Sequence, residues 1–234
     1  MKTPIPRVLY KYYPIEDWLP KLINGESILF SSRRTFNVPM DSCPGYRLDI
    51  EDPIGLARVK LRLREKGLTA AQRVMELSRL RRRHAGPISF DAIDPDSMLD
   101  NAGILCLSDQ WDNMLLWAHY AKMHRGVCIG FKTDLDFFQQ AMPVIYADDQ
   151  PIVERTKDDD DTLVRKVFFT KPSCWKYENE WRIVKRYHDF KGAPAARDKN
   201  FDVAADERGA GFYQFDAGAI ESVTLGMHSS AEHT

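Results

Sequence analysis

The chain has 234 residues, 44% of them hydrophobic and 29% charged, with a formal net charge of −1. That length supports one large domain or two small ones, with a core that needs no staples. The near-zero charge gives no compositional signature of a nucleic-acid binder or a membrane-surface protein.

The predicted elements begin with "RVLYKYY", β-branched and aromatic with partial alternation, which reads as a strand. A short helix follows, with Trp18, Leu19 and Leu22 on one side, stopped by Asn24-Gly25. "SILFSS" is a second strand, and Asn37, Pro39, Pro44 and Gly45 punctuate the loop after it. Residues 52–86 are expected to form an inserted helical hairpin. Its second helix opens on a capping box, Thr69 with Gln72, and carries Ala70, Val74, Leu77 and Leu80 as a stripe.

"GPISFDAIDPDS" reads as a connection and "GILCLSD" as a buried strand. "WDNMLLWAHYAKMHRG" predicts a largely buried helix running to Gly126, with basic residues in its last turn. "VCIGF" predicts a strand, "TDLDFFQQAM" a helix and "PVIYAD" a strand. Acid at the N-terminus of "KDDDDTLVRKVFFTK" favours a helix there. "ENEWRIVKRY" reads as a strand, the polar segment after it as a long loop, and "FYQFD", "AGAIES" and "VTLGM" as strand, turn and strand. Strands and short helices mix without regular βα alternation, so the expected class is α+β, in a single domain spanning residues 1–234.

The chemistry-bearing residues are scattered. Glu178 and Glu180 stand one residue apart, and in an extended strand they would share a face. Two close carboxylates resist joint ionisation. They read either as a solvated strand end with Glu180 paired to a nearby arginine, or as carboxylates that steady a developing cation. Trp175, Tyr177 and Trp181 would keep such a site dry. His119 and His124 are five residues apart, too far round a helix for the i, i+4 zinc spacing. His119 or Tyr120 could line a pocket or simply pack.

Tyr10 and Tyr12 share one face of the first strand and Lys11 takes the other; Ser31 and Ser32 close the second strand. Asn37 and Asp41 are turn-builders or site residues, and Arg33 and Arg34 solvated cations or phosphate contacts. "RLRRRH" reads as a solvated helix end or a nucleic-acid contact. There is no Walker loop, G-x-G-x-x-G, G-x-S-x-G or H-E-x-x-H. Cys43, Cys106, Cys128 and Cys174 form no C-x-x-C pair, so reduced thiols are expected and no metal site. No apolar run approaches the roughly 20 residues that span a bilayer. Pro4 and Pro6 interrupt the N-terminus before a signal-peptide core can form. The expected setting is cytoplasmic, without membrane contact.

Three segments in order, "LYKYYPIEDWLPKLINGESILFSSRRTFNVPMD", "LCLSDQWDNMLLWAHYAKMHRGVCIGF" and "KPSCWKYENEWRIV", resemble a bacterial family known as domain of unknown function 2971. Val38 stands where that family usually has aspartate. At a greater distance the order of motifs looks like the ADP-ribosyltransferase fold, a split mixed or antiparallel sheet. That likeness implies NAD as substrate, Tyr10 or Lys11 on the dinucleotide, Ser31 or Ser32 supporting the site, and Glu180 as the catalytic carboxylate with Glu178 orienting an acceptor. Tyr120 would stack on nicotinamide, with Asn37 and His119 nearby. The first strand lacks the histidine or arginine such enzymes carry at its centre.

The implied activity is ADP-ribosyl transfer to a protein or nucleic acid, or NAD hydrolysis, in phage defence or as a toxin. A non-enzymatic module binding a nucleotide-like small molecule, and a metal-dependent nuclease built on Glu178, Glu180 and an aspartate, are the alternatives.

Overall fold

A computed structural model describes residues 3–36, 41–47, 53–83, 88–89, 102–154, 158, 160–185 and 209–229. In chain order, β1 (Val8–Tyr13) leads through α1 (Leu19–Ile23) to β2 (Ile28–Ser32) and a 3-10 turn, Arg33–Thr35. Next come β3 (Gly45–Arg47), α2 (Pro53–Glu65), α3 (Ala70–Arg83) and β4 (Ile88–Ser89). They are followed by β5 (Gly103–Ser108), α4 (Met114–Tyr120), β6 (Val127–Lys132) and a 3-10 turn, Asp136–Gln140. After β7 (Met142–Pro143), β8 (Ile145–Ala147), β9 (Ile152–Glu154), α5 (Asp160–Phe168) and β10 (Thr170–Pro172), a 3-10 segment Ser173–Glu178 enters β11 (Glu180–Lys185). β12 (Gly211–Tyr213), a turn at Ala217–Ala219 and β13 (Ile220–Leu225) close the described chain. The class is α+β. Two compact units divide it: Met1–Asn37, Met98–Tyr146 and Ser173–Thr234 form one, and Val38–Ser97 with Ala147–Pro172 form the other.

The first unit is built on an antiparallel sheet of order β12-β2-β5-β1-β6-β13, with β11 also on β5 and β7 on β11. β1 and β6 pair along six residues, from Val8↔Lys132 to Tyr13↔Val127, and β11 matches β5 from Glu180↔Ser108 to Lys185↔Gly103. Between these halves the register holds one pair, Tyr10↔Ser108. β2 joins the other end of β5, at Ser31↔Ile104 and Ser32↔Gly103. β11 covers one edge of β5 along its whole length, so β1 and β2 share the opposite edge, one at each end.

The sheet's apolar face explains why these strands form. Leu9, Ile28, Phe30, Leu105, Leu107, Ile129, Phe131, Trp181 and Ile183 are all buried there, with Phe137, Phe138 and Phe215 laid across them. Each such side chain contributes about 1.5–3 kcal/mol by leaving water. The opposite face holds a smaller cluster of Tyr12, Leu116, Trp117, Ala121 and Cys128.

Two expected helices differ. "TDLDFFQQAM" forms the 3-10 turn Asp136–Gln140, in which Phe137 and Phe138 are both buried. The helix expected to reach Gly126 ends at Tyr120, and Lys122, Met123 and His124 follow with φ of 50°, 56° and 63°. The chain must turn at once into β6, where Gly126 is pressed so closely on the Tyr13 carbonyl that a Cβ would sit 2.0 Å from it. Nor is this helix largely buried: Leu116 and Trp117 are inside, whereas Met114 is 71% exposed. The polar segment expected to be a long loop, residues 188–211, lies outside the described residues as far as residue 208.

In the second unit, β3 pairs antiparallel with β4 and parallel with β9. α2 and α3 form the expected hairpin, and the capping box closes as its sequence predicts: Gln72 N–H donates to Thr69 Oγ1 at 3.3 Å and Thr69 N–H to Gln72 Oε1 at 2.9 Å. Val153, Val164, Val167, Phe168 and Phe169 are buried, and Lys171 and Asp41 form a buried ion pair at 3.8 Å. Among the described residues no helix is long and apolar enough to cross a membrane.

Candidate functional site

Asn179 has φ of 43°, a left-handed conformation that asparagine tolerates better than most residues. It separates the 3-10 segment from β11. Glu178 ends the first and Glu180 opens the second, so the shared strand face expected for the pair does not exist. Both are nevertheless buried, at 4% and 5% exposure, and each is held differently.

Glu180 lies opposite Ser108, which lies opposite Tyr10, so three strands set these residues in one row. Directly paired residues of antiparallel strands share a face. The Glu180 N–H donates to Tyr146 Oη at 2.7 Å, and its carbonyl accepts from Val144 N–H at 2.9 Å. Its carboxylate is gripped by Arg182, Nε to Oε1 at 2.6 Å and Nη2 to Oε2 at 3.1 Å. Arg182 has no exposed surface and stacks its guanidinium over Phe36 at 5.5 Å. This fork fixes the carboxylate as an anion in one orientation. The arginine partner expected for Glu180 is therefore present, but inside the protein rather than at a solvated end.

Glu178 Oε1 accepts from Tyr120 Oη at 2.8 Å, and its carbonyl accepts from Ser108 Oγ at 2.6 Å. The Ser108 oxygen also receives Gln110 N–H at 3.1 Å. α4 reaches this position through Asn113. Its Oδ1 caps the helix, accepting from Leu115 and Leu116 N–H at 3.0 and 3.2 Å, while Nδ2 donates to the Tyr177 carbonyl at 2.7 Å and Gln110 Oε1 at 2.6 Å. Above the acids lies an aromatic rim: His119 meets Trp175 edge-on at 6.4 Å and Tyr120 at 6.2 Å, and Trp175 meets Tyr177 at 5.9 Å.

Lys11 sits where β1 leaves β5, and its Nζ donates to the Cys106 carbonyl at 2.8 Å. Burial pushes its pKa below the usual lysine value, opposed by Cys106, Glu180 and Glu178. Burial likewise raises the Tyr10 pKa, helped by Cys128, Glu221 and Asp112, so Tyr10 stays neutral. The Tyr10 ring lies against Gly130, where a Cβ would come within 2.9 Å of it.

Of the residues expected to form a site, Tyr10, Lys11, Glu178, Glu180, His119 and Tyr120 gather around the Ser108 end of β5. Ser31 and Ser32 do not. They pair with Ile104 and Gly103, four or five residues along β5, roughly 13–17 Å away at strand rise. Ser32 instead caps the Arg33–Thr35 turn. Asn37 lies outside the described residues. Ser108, Asn113 and Tyr146 were not expected at the site, and Arg182 only as an unspecified arginine near Glu180. Arg182 had a signal, since positions 180 and 182 of a strand share a face; Asn113 had one too, as a helix-capping residue before an apolar run. Ser108 and Tyr146 had none, because only the folded register brings them to the acids.

Among the described residues no three His, Cys, Asp or Glu side chains group as metal ligands would. The four cysteines are free, Cys128 buried and Cys174 exposed. Burial raises the Cys128 thiol to about 12.

A family model described as "Protein of unknown function (DUF2971)" matches residues 116–183, from within α4 into β11. The match takes in the "WAHYAKMHRG" and "YENEWRI" motifs and supports the family resemblance over that stretch, less than a third of the chain. No curated protein and no solved structure matches the chain, so the likeness to the ADP-ribosyltransferase fold gains no support from known structures.

Proposed function

We propose that the first unit cleaves the nicotinamide–ribose bond of NAD, passing ADP-ribose to a macromolecular acceptor or to water. The observation that carries this reading is the convergence of two buried carboxylates, Glu178 and Glu180, with Tyr10, Ser108 and Tyr120 at one end of β5. Cleavage of an N-glycosidic bond develops oxocarbenium character, as glycoside hydrolysis does. A carboxylate that is already charged and oriented stabilises that cation without reorganising. The Arg182 fork gives Glu180 that property. Glu178, positioned by Tyr120, orients the acceptor, and the ring of Tyr120 or Trp175 stacks on nicotinamide.

Release of nicotinamide from labelled NAD tests this. A fixed charge of this kind contributes about 3–4 kcal/mol, so Glu180→Gln is expected to slow turnover by about 10²–10³-fold. Tyr120→Phe, which removes one hydroxyl from a half-buried side chain, is expected to slow it less while leaving the fold intact. Turnover unchanged in both variants removes these residues from the reaction.

One observation favours a second reading, a binding module without catalysis: Glu180 and Arg182 satisfy each other inside the sheet, as a structural ion pair does. NAD titration by calorimetry separates the two. Heat of binding without nicotinamide release supports the module, and release supports the enzyme.

A further inference from the structure

The α2–α3 hairpin of the second unit carries a charge that the first unit's proposed chemistry does not use. Residues 53–83 contain ten Lys and Arg against two acids, Glu65 and Glu76, a net of +8. The whole chain carries −1, so all other residues together carry −9. Of the second unit's own acids, Asp158 holds Lys166 at 2.7 Å and Asp161 holds Arg165 at 2.8 Å. On the hairpin Arg79 pairs with Glu76, at 3.6 Å.

The spacing makes this more than a solvated surface. Helices that use charge for solubility alternate its sign, placing Glu four residues before Lys. Here like charges recur at that interval: Arg58 and Arg62, then Lys60 and Arg64, then Arg79 and Arg83. Each such pair destabilises a helix by about 0.2–0.5 kcal/mol. The helix dipole accounts for cations in the last turn of α3, but not for the series along α2. Val59 and Leu63 face inward, while Lys60, Arg64, Lys66, Arg79, Arg81 and Arg82 are exposed. A run of like charge on the outside of a folded hairpin attracts a polyanion.

We propose that this hairpin binds the phosphate backbone of a nucleic-acid duplex. Eight of the ten cations are arginine, whose planar fork suits phosphate. No Phe, Tyr or Trp occurs in residues 53–83. Single-strand binders stack bases on aromatic side chains, and membrane-surface helices anchor with Trp, Phe or a broad Leu face. Leu61, Val74 and Met75 are exposed but form no broad apolar stripe among the cations, so backbone contact with a duplex is what these helices can supply. The proposal does not depend on the NAD reading of the first unit.

The test uses the full chain and three probes: a labelled duplex of about 20 base pairs, a single strand of the same sequence, and phosphatidylserine vesicles. Duplex affinity is expected to fall steeply with salt, the slope of log K on log salt being about −0.9 per phosphate neutralised. Lys60→Glu with Arg64→Glu, and separately Arg79→Glu with Arg82→Glu, should each weaken binding at least tenfold and reduce the slope by about 1.8. Circular dichroism and melting of each variant report whether the fold is kept. The neutral pair Arg79→Gln with Arg82→Gln repeats the measurement should charge reversal unfold the hairpin. Absence of duplex binding at low salt, affinity unmoved by these pairs, or preference for the single strand or the vesicles would overturn the proposal.

Discussion

Arg182 and Glu180 pose the sharpest energetic question at the scale of single residues. A buried pair is close to neutral against apolar replacements of similar volume, yet costly to break from one side. Arg182→Met is therefore expected to cost about 3–5 kcal/mol, because it strands the Glu180 carboxylate inside the sheet. Arg182→Met with Glu180→Leu should recover most of that loss. Urea denaturation of the singles and the double closes the cycle, and a double variant as unstable as the single would show that the ion pair is not the main cost. If the NAD reading holds, the double variant is stable and inactive. Cys128 gives a pH signature of its own. Its thiol rises from 9.0 unfolded to about 12 folded, through burial. Between these values the unfolded chain has lost a proton that the folded chain keeps, so stability falls as pH rises, by up to about 1.4 kcal/mol per pH unit. The contribution is complete below pH 9.0. Cys128→Ala should flatten that alkaline limb, read as the difference in urea midpoint between pH 9 and 11. Parallel limbs for the two proteins would mean that the thiol ionises without unfolding.

Among the elements, α4 is the least self-sufficient. Seven residues are too few for a helix to persist on its own, so capping and tethering decide whether it forms. Asn113 does both, with its oxygen on the helix N-terminus and its amide on Tyr177 and Gln110. Asn113→Ala is expected to cost about 1–2 kcal/mol for the cap and further for the lost hydrogen bond to the Tyr177 carbonyl. Asn113→Ser keeps a capping oxygen and should recover about 1 kcal/mol of it. Thermal melts rank the three proteins, and Ser no better than Ala would assign the whole effect to the tether. The same element shows where sequence reasoning stops. The strand "VCIGF" and the capping box at Thr69 were legible, since alternation and capping are local. The end of α4 was not, because Lys122 and Met123, with His124, adopt left-handed angles that lysine and methionine disfavour. The close approach of Gly126 to Tyr13, 113 residues away, imposes them.

Over the whole molecule, the α+β class and most strands of the first unit followed from composition and alternation. Which strands adjoin did not, and the site depends on that. Tyr10, Ser108 and Glu180 become neighbours only through register, while Ser31 and Ser32, reasonable site residues by chain order, are carried to the far end of β5. The sheet of the first unit is joined across β1 and β5 by a single registered pair, beside which Lys11 spans the gap to the Cys106 carbonyl. A partly buried ammonium with a depressed pKa is retained there at an energetic cost, which its hydrogen bond and the nearby carboxylates offset. Lys11→Met keeps the length of the side chain and removes the hydrogen bond to the Cys106 carbonyl, at a cost of about 1–3 kcal/mol. If the seam is a local weak point, amide exchange in this variant speeds up in peptides covering 8–13 and 103–108. Peptides covering 220–225, on the far side of β6, should exchange as in the unaltered protein. Uniform acceleration across all three would mean that the two halves of the sheet open together, and that Lys11 supports the whole unit rather than its seam.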